Sequence, residues 1–278
     1  MTIAFHLFLY AHIATGAVGL LAFWIPVLAR KGSRNHVRGG RLFGRCMLLT
    51  GSLAIGISAC TLLAPLETHP GLDDAAIVRA VFGWMMLYLA VLTITLAWYG
   101  LLTVRNRHDH AANARWPNVA LQYLLLALSV NCALQGWFTG ELLVRVLTIG
   151  ISLVGIAAAV TNLRFIRRAS PHPIAWLLEH IKGLVGAGIS VYTAFLAFGA
   201  VRLMPEAALN PVLWAIPLVV GLAMIFRFQR AVVHRYRSRR ASGPVADSSS
   251  TTNTNVNAAA VFGSASIDAG PDRETGNA

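Results

Sequence analysis

The sequence predicts an all-α integral membrane protein, a bundle of about seven transmembrane helices. Three observations predict it. Of 278 residues, 56% are hydrophobic and only 12% charged, with a mean hydropathy of +0.62, whereas soluble domains carry about 25% charged residues. Several apolar stretches exceed the ~18 residues of a membrane span, and the ~10-residue alternating segments of a β-barrel are absent. Basic residues fill every second connection, while the connections between carry mostly acidic charge. That alternation follows the positive-inside rule. It places the N-terminus outside and the C-terminus in the cytoplasm, and the expected location is a bacterial cytoplasmic (inner) membrane.

The chain divides into a transmembrane domain over 1–240 and a tail. The first span covers about 3–29. It is too long for a signal-peptide core and has no clear cleavage site, so no cleavable signal is expected. A glycine-bearing basic loop follows, with Arg30, Lys31, Arg34, Arg38 and Arg41. Span two covers about 42–65 and ends in the acidic, turn-rich Leu66–Asp74 connection. Span three covers about 77–104 and leads to Arg105, Arg107 and Arg115. Span four covers about 117–137, with Pro117 suited to a first helical position. A short turn containing Glu141 precedes span five, about 142–163, and Arg164, Arg167 and Arg168 follow it. Span six covers about 174–203. Span seven covers about 212–228 and ends in arginines from Arg227 to Arg240. Pro26 and Pro217 fall inside spans one and seven, where each removes a helix hydrogen bond. Trp24, Trp98, Trp116, Trp137, Trp176 and Trp214 fall near span ends, as in an aromatic belt. From 241 to 278 the chain turns to Ser, Thr, Asn, Ala and Gly and reads as a disordered cytoplasmic tail.

A net charge of +12 and a pI near 10.8 are, by composition alone, also those of a nucleic-acid-binding protein. The basic residues sit in short loops between spans, so the expected partners are the bilayer and its anionic headgroups, not nucleic acid. Protein partners are not legible. Cys46, Cys60 and Cys132 lie in apolar runs without Cys-x-x-Cys spacing, and read as buried hydrophobes rather than a disulfide or zinc framework. Walker, dinucleotide-binding, Gly-x-Ser-x-Gly and His-Glu-x-x-His signatures are absent, and no catalytic residue is assigned.

Ionisable groups inside a bilayer are costly, about 2.5–3.5 kcal/mol at its centre, and therefore informative. His12 lies deep in span one. Glu179, His180 and Lys182 lie in the first turns of span six. Arg145 is spaced to pair with Glu141, and Glu179 with Lys182. A b-type haem needs two histidines at one depth on facing helices. His12 lies about 20 Å from the cytoplasmic edge and His180 about 10 Å, so these two do not share an iron. His36 joins His180 if its loop folds inward. The haem reading thus rests on an incomplete ligand set, and the cofactor and any metal stay unassigned. His36 stands among Arg34, Arg38 and Arg41, which suit an anionic group or headgroups. Gln122, Ser129, Asn131 and Gln135 make span four polar, either for interhelical hydrogen bonds or to line a polar cavity. Gly183, Gly186, Gly188 and Ser190 on span six, and Ser52 and Gly56 on span two, suit close helix packing.

Two blocks carry a family resemblance. One is His12 followed by Lys31-Gly32-Ser33, His36 and Gly40-Arg41. The other is His180 followed by Thr193-Ala194-Phe195, with Trp214 and Pro217 beyond. In these the chain resembles the bacterial predicted membrane proteins catalogued as domain of unknown function 2306. Val37, Leu184 and Ala187-Gly188 depart from that pattern. The resemblance implies no activity, but it singles out His12, His36 and His180. Three function classes stay open: a protein holding a small ligand or redox cofactor at His180 and His36, a small-molecule or proton-coupled transporter using His12 and the Gln122–Gln135 face, and a non-catalytic assembly partner.

Overall fold

The computed structural model describes residues 2–138, 140, 142–199 and 211–241. The expected tail beyond Ala241, the turn before Pro211, Glu141 and the Trp214 side chain lie outside the described residues. Within them the chain is helical and contains no strand. The elements are α1 (Thr2–Leu28), α2 (Arg34–Leu63), the one-turn α3 (Pro65–Thr68), α4 (Ala75–Val78), α5 (Met86–Arg105), α6 (Trp116–Phe138), α7 (Leu142–Ile166), α8 (Ala175–Ala194) and α9 (Pro211–Ala241). A π-helical stretch, Arg79–Met85, joins α4 to α5, and another, Phe195–Gly199, extends α8. Seven of the described helices are long and apolar enough to cross a membrane.

The helices alternate in direction, so one end of the bundle collects the basic connections. Antiparallel α1 and α2 form one pair and α6 and α7 another, while α5 packs on α2, α6 and α8. The Ala75–Arg105 span is accordingly the core, 67% buried in its most apolar window against 11% for the last helix. Phe43, Met47, Met85, Tyr88 and Leu125 fill the centre. Small residues set the spacing. On α2, a Cβ at Gly44 would meet Leu101 and one at Gly51 would meet Ile94, both on α5, while Gly56 faces Phe8 on α1. The α2 face toward α5 thus uses Gly44 and Gly51, whereas Ser52 is exposed and bonds its own helix at Leu48. On α8, Gly183 lies against Gly100, Gly186 against Leu96 and Gly188 against the Phe23 ring. Ser190 Oγ and Thr93 Oγ1 are hydrogen-bonded at 2.6 Å.

Two helix boundaries differ from expectation. The second span begins at Arg34 rather than Leu42, so Arg34–Arg41 is helix and not loop. Ser33 is the physical reason: extended in backbone, it accepts a hydrogen bond from the His36 amide and caps α2. Gly32, with φ 82°, supplies the left-handed turn before it. The last span runs on to Ala241, so the terminal arginine cluster is also helical.

Candidate functional site: a histidine pair at the basic end

α5 and α8 meet backbone to backbone. A methyl at Gly183 would lie 2.7 Å from the Gly100 Cα, and one at Gly100 would lie 2.9 Å from the Leu184 nitrogen. The approach brings His180 to α5, where its Nδ1 hydrogen-bonds the Gly100 carbonyl at 2.8 Å. A carbonyl only accepts, so Nδ1 carries the proton and the neutral ring keeps its lone pair on Nε2.

His36 reaches the same end from another direction. The Ser33 cap starts α2 early and turns His36 toward the end of α1, where its Nδ1 donates to the Pro26 carbonyl at 3.0 Å. Lys31 Nζ donates to the Pro26 and Val27 carbonyls at 2.8 and 2.6 Å. Together these side chains satisfy the last carbonyls of α1, as basic residues do at helix C-termini. His36 and His180 thus bond backbone at the same, basic end of the bundle. Both rings are half-buried, and both have Nδ1 committed to backbone with Nε2 left over. Hydrogen bonds of this kind orient and fix the tautomer of metal-ligating histidines.

His12 has the same local chemistry in a different place. Its Nδ1 donates to the Thr50 carbonyl at 3.0 Å, and Thr50 Oγ1 donates to Thr15 Oγ1 at 3.0 Å. Fourteen residues of α1 separate it from Pro26, about 21 Å along the axis. It belongs to the α1–α2 seam and stands apart from the other two histidines.

The arginines of the basic stretch do not converge on the pair. Arg34, Arg38 and Arg41 are exposed and recur at helical spacing along one face of α2. Beside His180 lies a charged cluster that sequence spacing only half reveals. Glu179 and Lys182 form the expected i,i+3 ion pair. Tyr99 OH also donates to Glu179 Oε2 at 2.7 Å, and Lys182 stands 5.4 Å over the Tyr99 ring and donates to Thr161 Oγ1 at 3.3 Å. Tyr99 carries no sequence signal, being one aromatic in an apolar run. Arg145 stacks on Trp137, 5.7 Å from the ring centre.

The polar residues of span four do not share one face. Gln122 and Ser129 lie in the buried stripe of α6, with Asn118 and Cys132. Gln122 Oε1 accepts from Asn162 Nδ2 of α7 at 3.0 Å. Asn131 and Gln135 are half-buried on another side of α6. Asn162 was legible only as a lone amide in an apolar span.

Among the described residues, no group of three or more His, Cys, Asp and Glu could hold a metal ion. Two imidazoles alone leave a bare ion under-coordinated, so His36 and His180 would hold a metal only within a cofactor, such as a haem macrocycle, that brings further donors of its own. The glycine face of α8 offers no slot for such a ring, being filled by Gly100, Leu96 and Phe23. Beyond it, Phe23, Trp24, Gly188, Tyr192, Pro217 and Met224 line an apolar groove of about 140 Å³, bridged by Trp24 Nε1 donating to Tyr192 OH at 2.7 Å. Comparison with protein-family models, with curated proteins and with solved structures finds no match.

Proposed function

We propose that the chain is a multi-pass protein of a bacterial cytoplasmic membrane that holds a metal-containing redox cofactor through His36 and His180. The carrying observation is that each ring donates Nδ1–H to a backbone carbonyl at the basic end of the bundle, Pro26 for one and Gly100 for the other. Such an arrangement holds two Nε2 lone pairs ready at the same end of the bundle without further rearrangement of tautomer. The basic connections favour this end being cytoplasmic, with Arg34, Arg38 and Arg41 directed to solvent and headgroups. The family resemblance is part of the same reading, since its histidine blocks contain both residues. When bound, such a cofactor would supply one-electron chemistry; this chain would supply the two ligand nitrogens and their orientation.

The test is an optical spectrum of the detergent-purified protein, as isolated and after dithionite. A Soret band that shifts on reduction and is lost in both His36→Ala and His180→Ala, but kept in His12→Ala, is expected. A featureless spectrum from protein expressed with ample haem, together with no bound transition metal by elemental analysis, overturns the reading.

A further inference from the structure

The α5–α6–α7 seam carries hydroxyls bonded to helix backbone in one half and, toward the basic end, a cluster of buried polar atoms without partners. In the other half, Ser129 Oγ donates to the Leu125 carbonyl at 2.7 Å, Tyr88 OH to Ile151 at 2.7 Å, Ser152 Oγ to Thr148 at 2.6 Å and Thr148 Oγ1 to Val144 at 2.7 Å. There each hydroxyl is satisfied by helix backbone. Tyr88, Ser129 and Gly155 mark one level of this seam, because a Cβ at Gly155 would touch both the other side chains.

Seven residues toward the basic end on each helix lie Thr95, Gln122 and Asn162. Seven residues are close to two helical turns, about 10.5 Å, and return each helix to nearly the same face. The three residues therefore converge on a second level of the seam, and the Asn162–Gln122 hydrogen bond shows two of them in contact. All three are 0% exposed. Thr95 Oγ1, Gln122 Nε2 and Asn162 Oδ1 have no hydrogen-bond partner, and neither does Asn118 Oδ1, one turn from Gln122 on the same face and 2% exposed. The four atoms comprise one amide donor, two carbonyl acceptors and a hydroxyl that serves as either.

Leaving such groups dry is expensive, of order 1–3 kcal/mol each. A buried water typically makes about three hydrogen bonds to just such a mixed set. We infer that the basic half of the α5–α6–α7 seam is a binding site for one or two water molecules, bridging Thr95, Gln122 and Asn162 and reaching Asn118. Asn106 Nδ2 bonds Asn113 Oδ1 at 3.1 Å and Asn118 Nδ2 bonds the Asn113 carbonyl at 2.8 Å, so an amide ladder leads from the basic-end connection to the site. Leu92, Leu125 and Ala159, all buried, close it between the two levels. This inference is independent of the histidine pair.

Thr95→Val tests it, since the change keeps shape and deletes only the hydroxyl. With water present, the variant loses a hydrogen bond, and the unfolding midpoint of the purified full chain falls by about 2–4 °C. If the site is dry, the same change removes an unsatisfied buried hydroxyl, and an unchanged or raised midpoint overturns the proposal. The second readout is a high-resolution experimental map of the unsubstituted protein. Solvent density between Gln122 Nε2 and Asn162 Oδ1 is expected, and a protein-filled gap there overturns it.

Discussion

Gly100 and Gly183 face each other with no side chain between them, and that contact is what lets His180 of α8 bond the backbone of α5. A Cβ on either residue would press on backbone atoms, which cannot rotate away as a side chain can. Gly183→Ala is therefore expected to separate α5 from α8, destabilise the fold by about 1–3 kcal/mol and disturb the His180 ring. Gly186→Ala meets only the flexible Leu96 side chain, at 3.3 Å, and is expected to cost much less. Thermal unfolding of the two variants side by side checks the ranking.

Tyr99 and Glu179 should be strongly coupled. The carboxylate takes a hydrogen bond from the phenol and an ion pair from Lys182, and hydrogen bonds to charged groups contribute about 1.5–3 kcal/mol. Tyr99→Phe is expected to lower stability within that range. Its effect should shrink when Glu179 is already Gln, which a double-mutant cycle measures.

Ser33 holds the first turn of α2, and with it His36, by capping the His36 amide. Ser33→Ala is expected to cost about 1 kcal/mol. Faster amide exchange in residues 34–37 should accompany it, with exchange deep in α2 unchanged. Equal exchange in both proteins would show that the His36–Pro26 hydrogen bond alone holds the turn.

His69, in the connection between the second and third spans, packs 4.5 Å from the Phe82 ring and 5.8 Å from Phe5. Burial lowers its affinity for a proton, against a smaller opposite effect from the Pro65 backbone. A lowered folded-state value means that the neutral ring stabilises the fold. Its contribution is complete above the unfolded value of about 6.5 and is lost as pH falls through the lowered folded value. Stability should decline with acidification in that window, and His69→Phe should flatten that part of the curve. An identical pH dependence in the variant would place its origin elsewhere.

Orientation is open to a direct check. A fluorescent protein fused after Ala278 is expected to fluoresce, because such fusions mature in the cytoplasm and the positive-inside rule predicts a cytoplasmic C-terminus. A dark fusion paired with an active periplasmic reporter would invert the bundle.

Much of the architecture was legible because membrane spans are written locally. Twenty apolar residues in a row identify a span without knowledge of its neighbours, and the seven long apolar helices follow from that. The Glu179–Lys182 pair was legible for the same reason, being set by helix spacing within one element. The start of α2 was misread because the arginine-rich stretch looks like a loop by charge, while its cap depends on one serine hydroxyl and one left-handed glycine. Tyr99 and Asn162 were silent because their roles depend on which residue of another helix lies opposite.

The sequence by itself determined the all-helical class and the seven long apolar helices, since hydropathy and spacing act along a single chain. Only the tertiary structure decided that His36 and His180 bond backbone at the same end of the bundle, while His12 bonds Thr50 on the α1–α2 seam. It alone showed that Gln122 faces Asn162 rather than sharing a side with Asn131 and Gln135. The physical reason is that rotation and register between helices are set by small contacts, such as Gly100 on Gly183, which no periodicity within one helix records.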